Sequence, residues 1–160
     1  MYGLQVIRDI LAPALKARQI WLDWFTYPAD WSPLQPNAIN VPYLIHFDAD
    51  SDFLLYEQTI AVFSTPGTPV VAPDYKITMM DTGSGRNFQS GPVHVSNIFG
   101  NAQRPYILPE PKLIAAASTL NLQLTNKSTQ AAEVNLGFSG VKIFYFSGFS
   151  RQQLGLSFGG

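Results

Sequence analysis

The sequence predicts an all-β fold, an antiparallel β-sandwich of the jelly-roll type, and three observations support this prediction. From Tyr43 onward the apolar runs are short, and clusters of Gly, Pro, Asn and Ser separate them at fairly even intervals. No helical pattern lies between these runs. Leu120, Leu122 and Leu124 alternate with polar residues, as is typical of a half-buried antiparallel strand. Short strands with frequent turns predict two packed sheets.

The N-terminal region, residues 1–27, predicts a helical or extended arm. Apolar residues recur at helical spacing from Leu4 to Leu15, although Pro13 should break or kink a helix there. Residues 28–42 hold four prolines, a composition that favours an extended chain over a helix or a central strand. We therefore expect a proline-rich connector between the arm and the sandwich.

The chain is long enough to bury one core. We divide it into an arm with its connector at 1–40, a sandwich at 41–147 and a short C-terminal tail at 148–160. Large apolar side chains are concentrated in the arm and the tail, and a small sandwich has limited room to bury both sets. We expect these side chains to bind a partner, with folding back onto their own domain as the alternative. The expected partner-binding residues are Trp21, Trp24, Phe25, Trp31, Phe149, Leu154, Leu156 and Phe158.

The composition argues against several kinds of partner and site. Ten basic and eleven acidic residues nearly cancel, and charged residues make up only 13% of the chain, so we expect no nucleic-acid partner. So low a charge suits a protein that is packed against others, and we expect a homo-oligomer. The absence of cysteine removes disulfides and thiolate zinc sites. No apolar stretch of membrane-spanning length and no signal peptide occur, which predicts a soluble product without a membrane partner.

The strongest enzymatic signal is Asp-Thr-Gly-Ser at 81–84, which resembles the active-site tetrapeptide of aspartic proteases. That chemistry needs two carboxylates in close contact, so a dimer or a second copy would have to supply the second one. The chain contains one copy of the motif. We favour a hairpin turn in which Asp81 and Gly83 supply the turn chemistry and Gly85 adopts a positive φ.

Metal and cofactor sites are not expected. Asp48, Asp50 and Asp52 alternate as the first ligands of a calcium loop do, but the glycine and glutamate that an EF-hand requires at later positions are missing. His46 and His94 each stand alone among apolar neighbours, without further zinc ligands. We expect no metal, no cofactor and no catalytic residue.

Several short elements follow one another in a fixed order between residues 41 and 146. They are VPYLIHF at 41–47, DSDFLL at 50–55, Ile-Thr-x-x-Asp at 77–81, Ser-Gly-Arg at 84–86 with Phe88, Pro-Val at 92–93, NIFG at 97–100, PYILP at 105–109, Leu-x-Leu-x-Asn at 122–126 and Gly-Phe-x-Gly at 137–140. Their order resembles that of small structural proteins of tailed bacteriophages, whose members include capsid cement or decoration proteins. The resemblance covers about two thirds of the chain.

The resemblance implies a non-enzymatic β-sandwich that sits on the capsid surface of the virion. Such a protein is made in the host cytoplasm and clamps neighbouring subunits of the major capsid protein, and its terminal arms add contacts. A neck, collar or tail component fits the resemblance equally well. Two further alternatives remain, a sugar- or receptor-binding sandwich at a fibre tip and a dimeric aspartic protease that uses Asp81.

Overall fold

The computed structural model describes residues 2–64, 68–69, 74–146 and 150. The elements in these residues are α1 (Tyr2–Lys16), β1 (Ile20–Leu34), β2 (Val41–His46), β3 (Asp52–Ser64), β4 (Thr68–Pro69), β5 (Tyr75–Asp81), β6 (Arg86–Asn87), β7 (Val93–His94), a 3-10 turn (Val95–Asn97), β8 (Tyr106–Ile114), β9 (Thr119–Asn126) and β10 (Ala132–Tyr145). Among the described residues, no helix combines the length and the apolarity that a membrane span requires.

The strands form two antiparallel sheets that pack face to face. The first sheet has the order β1-β10-β3-β8, with the short β4 also beside β3. The second sheet has the order β2-β9-β5, with β6 and β7 both beside β5. Most connections cross from one sheet to the other. If the short strands β4 and β6 are set aside, the remaining strands have the orders β1-β10-β3-β8 and β2-β9-β5-β7, which are those of an eight-stranded jelly roll. The predicted all-β sandwich of the jelly-roll type is therefore confirmed.

The main core lies between the two sheets. Five of its side chains have none of their surface exposed: Leu120, Leu122, Leu124, Leu136 and Phe138. The first three come from β9 in the second sheet, and the other two come from β10 in the first. The leucine side chains that alternate along β9 therefore face the opposite sheet, as predicted.

The N-terminal region differs from the predicted arm and connector. Residues Ile20–Leu34 form β1, which pairs with β10 along its length and belongs to the sandwich. β1 lies at the edge of its sheet, where a proline need not remove a ladder hydrogen bond. Pro33 lies where the register shifts, between Trp31 and Leu34. The prolines therefore indicate an edge strand, and residues 20–34 form part of the first sheet and not an unpaired connector.

Helix α1 covers part of the outer face of the first sheet and confirms the helical alternative for its residues. Pro13 lies in its last turn, where the backbone N–H of Ala17 still bonds to the Pro13 carbonyl. Leu11 and Ala14 are buried in a second, smaller core. The strand residues buried with them are Ile20, Leu54, Tyr56, Leu113, Val141 and Ile143. Burial of this apolar face stabilises a helix that Pro13 would otherwise weaken.

Candidate interaction surface

One end of the first sheet, next to the β2–β3 loop, carries exposed aromatic side chains. Tyr27 lies on the face of β1 that packs into the main core, and alternation places Trp21 and Phe25 on that same face. Trp21 stacks on Phe144 of β10, with ring centroids 3.8 Å apart and an interplanar angle of 7°. We call Trp21, Phe25, Lys142 and Phe144 the aromatic ledge.

Among the described residues, the main core ends before this end of β1 and β10, and the residues of the ledge are not part of it. Trp21 is 45% exposed and Phe25 is 37% exposed, although both lie on the face that is buried further along the strand. Phe146, which follows β10, is also exposed. A contiguous group of large apolar side chains at the surface is typical of a protein-binding site.

Lys142 connects the ledge to the loop between β2 and β3. Its Nζ lies 3.8 Å from the centroid of the Phe25 ring and donates to the Asp48 carboxylate. Asp48 also accepts a hydrogen bond of 3.0 Å from the Tyr27 hydroxyl. These contacts join β1, β10 and the β2–β3 loop, and therefore hold the ledge in one orientation relative to the second sheet.

The electrostatics of this group favour its charged state. Hydrogen bonds from Lys142 and Tyr27 lower the pKa of Asp48. Burial acts to lower the pKa of Lys142, but the hydrogen bond to Asp48 and the charges of Tyr27 and Asp48 outweigh burial and raise this pKa. Both shifts keep the pair ionised near neutral pH. The ledge thus combines the exposed rings of Trp21 and Phe25 with a buried, charged ammonium group beneath Phe25.

Trp24 lies on the opposite face of β1. It is 59% exposed, and its ring meets Tyr56 edge-on, with centroids 5.6 Å apart. Beside it is a groove of about 230 Å³, in which the Thr26 and Ser139 hydroxyls form a hydrogen bond of 2.8 Å. Both faces of this end of β1 therefore carry an accessible tryptophan.

The expected partner-binding residues divide into three groups. Trp21, Trp24 and Phe25 are exposed, as a binding role requires. Trp31 is only 5% exposed, because it lies on the core face of β1, and its Nε1 donates to the Val41 carbonyl over 3.3 Å. Trp31 therefore packs within the core of its own chain. The tail residues Phe149, Leu154, Leu156 and Phe158 lie outside the described residues.

The sequence interpretation missed Phe144 and Lys142 as parts of the surface. Both lie in a run of β10 that continues past the core residues, where the alternation of side chains between the two faces persists. The apolar character of this run is typical of a strand that is buried on both faces. Only the pairing of Trp21 with Phe144 across the two strands reveals the exposed face.

Asp81 has the predicted turn role. It ends β5, and its carboxylate accepts hydrogen bonds from the Gly83 backbone N–H at 2.9 Å and the Ser84 hydroxyl at 2.7 Å. Gly85 has the expected positive φ, 68°, in the turn that leads to β6. Asp81 is buried, and its carboxylate oxygens are engaged within its own turn. The geometry therefore assigns this tetrapeptide to a hairpin.

The three alternating aspartates serve different contacts. Asp48 binds Lys142, Asp50 accepts a hydrogen bond from the Ser51 hydroxyl, and Asp52 accepts bonds from the Ala116 N–H and the Tyr145 hydroxyl. Within the described part of the chain, no three acidic or histidine side chains come together as metal ligands would.

The two histidines lie in separate strands of the second sheet. The His46 side chain contacts the Thr119 hydroxyl at 3.2 Å, and the His94 side chain contacts the Asp74 carboxylate at 3.3 Å. Each ring is therefore paired with a neighbouring side chain.

The similarity of this chain to known proteins is low. No protein-family model matches the chain, and no curated protein matches it. A solved structure that resembles it is the VP2 subviral particle of infectious bursal disease virus, with 10% sequence identity and a TM-score of 0.33. That alignment covers 80% of this chain and 37% of the VP2 chain. At this TM-score the likeness carries no argument about function.

Proposed function

We propose that this chain is a non-enzymatic structural protein of a tailed-phage virion, a cement or decoration protein that binds the major capsid protein on the capsid surface. The observation that carries the proposal is the aromatic ledge at one end of a jelly roll, where Trp21 stacks on Phe144 and the Lys142 ammonium lies over the Phe25 ring. The order of sequence elements that resembles phage structural proteins supports the same role. A fold alone would not support it, because jelly rolls serve many functions.

The chemistry of the ledge suits a protein surface better than a small substrate. Trp21, Phe25 and Phe144 offer large apolar area with few rotatable bonds, so ordering them on binding costs little entropy. The Lys142–Asp48 pair is already formed in the free protein. Binding therefore requires little rearrangement of these side chains. This suits a protein of which many copies bind to a repeating capsid lattice.

The proposal predicts that Trp21→Ala weakens binding to capsid shells. Truncation of a central aromatic anchor costs about 2 kcal/mol or more, which corresponds to a roughly 30-fold rise in Kd. Binding is measured by co-sedimentation of the purified chain with shells assembled from the major capsid protein. Leu44→Ala is the control, because Leu44 on β2 is 50% exposed and Trp21 is 45% exposed.

Equal affinity of the two variants would contradict the assignment of the ledge as the binding surface. Failure of the unaltered chain to bind shells would contradict the cement role. Binding to isolated tails or necks, but not to shells, would instead support the alternative of a neck, collar or tail component. Thermal melting of both variants checks that each one is folded.

A further inference from the structure

Among the described residues, none covers the outer edge of β1 over half of its length. β1 pairs with β10 on one side, and no described residue pairs with it on the other. Helix α1 does not cover this edge, since it packs mainly against β8 and the outer face of the sheet. An unpaired edge presents a row of backbone N–H and C=O groups that can bind another strand.

Proline protects the other edges of the sandwich. In a described edge strand, a proline removes a donor and discourages pairing with a further strand. The prolines in question are Pro42 in β2, Pro69 in β4, Pro109 and Pro111 in β8, and Pro28 and Pro33 in the second half of β1. β6 and β7 have two residues each, too few to bind a long strand. Residues 20–27 of β1 are thus the long stretch of described edge without a proline.

This stretch also carries the apolar surface that an interface requires. Trp24 is 59% exposed beside the free edge, and Asp23 is the one charged residue between Ile20 and Tyr27. The whole chain has a formal net charge of only −1, so repulsion between two copies is weak. We propose that residues 20–27 pair with the same residues of a second copy, to form a two-fold symmetric dimer with one continuous sheet.

The sequence of the stretch selects a register. Two-fold antiparallel pairing with the greatest overlap must be centred on either Asp23 or Trp24. A centre at Asp23 would place two carboxylates directly opposite each other, which is destabilising. With the centre at Trp24, each Trp24 meets its own copy and Asp23 lies opposite Phe25.

The same register places Trp21 opposite Tyr27. The sheet of the dimer then has the order β8-β3-β10-β1-β1-β10-β3-β8. It places the two aromatic ledges on the same side of that sheet. This inference goes beyond shell binding and does not depend on it.

Single cysteines test the register directly, because the natural chain contains none. Trp24→Cys should form a disulfide-linked dimer under mild oxidation, since residues opposite each other in an antiparallel pair lie within disulfide reach. Leu44→Cys, at an exposed position of β2, is the control and should remain monomeric on a non-reducing gel. Equal cross-linking of the two variants would overturn the proposal.

Charge substitutions test the dimer in solution. The unaltered chain should have twice its monomer mass of 17.7 kDa by analytical ultracentrifugation, and Trp24→Lys should halve the measured mass. Mixing Trp24→Lys with Trp24→Glu should restore the dimer, while Leu44→Lys should leave it intact. A monomeric natural chain, or a dimer that survives Trp24→Lys, would overturn the proposal. Neither result would contradict shell binding by the natural chain, which co-sedimentation tests separately.

Discussion

Replacement of Leu122 with alanine is expected to lower the free energy of unfolding by about 2–5 kcal/mol. Leu122 is fully buried on β9, the central strand between β2 and β5, with Tyr43 and Met79 as its cross-strand partners. The substitution removes apolar contacts and leaves a cavity, because strands paired on both sides have little freedom to close around it. Urea denaturation, monitored by circular dichroism, measures this loss of unfolding free energy.

The neighbouring residue provides a matched control for this prediction. Gln123 follows Leu122 on the same strand and faces solvent, so Gln123→Ala should change stability by less than about 0.5 kcal/mol. If the two variants had equal stability, β9 would not present alternating core and solvent faces. A far-ultraviolet spectrum dominated by helix would contradict the sandwich itself.

Gly140→Ala is the second substitution with a large expected effect, a loss of about 1–3 kcal/mol or more. A Cβ at this position would lie 2.2 Å from the Leu54 carbonyl oxygen and 2.8 Å from the Phe53 ring. Gly140 lies at the register shift between β10 and β3, and the nearest obstacle is backbone, which cannot move aside as a flexible side chain can. Thermal and urea denaturation should both show the loss.

Gly91→Ala is the control for Gly140→Ala. A Cβ on Gly91 would meet no atom within 4 Å, so this variant should unfold at close to the natural midpoint. Similar midpoints for the two variants would mean that β10 and β3 do not approach as closely as described. Gly140 is also the cross-strand partner of Phe25, so the substitution disturbs the base of the aromatic ledge.

The strands with clear alternation could be predicted from the sequence, while β1 could not. Leu120, Leu122 and Leu124 occupy every second position, and this spacing predicts a strand with one buried face. β1 carries Pro28 and Pro33, which indicate irregular chain in the absence of tertiary information. Only the position of β1 at a sheet edge makes these prolines compatible with a strand.

The candidate surface could be predicted only in part. The aromatic character of Trp21, Trp24 and Phe25 suggested contact with a partner, but composition alone could not separate them from Trp31, which the core face of β1 buries. The ion pair that holds the ledge could not be predicted, because Asp48 and Lys142 are 94 residues apart in the chain. Contacts between residues so far apart depend on the topology.

The number of copies in the virion tests the structural role most directly. Quantitative mass spectrometry of purified phage particles, and of capsid shells without tails, gives the ratio of this chain to the major capsid protein. A cement or decoration protein should be present in both samples, in a fixed and substantial proportion to the major capsid protein. Absence of the chain from tail-less shells, or its complete absence from particles, would contradict the account.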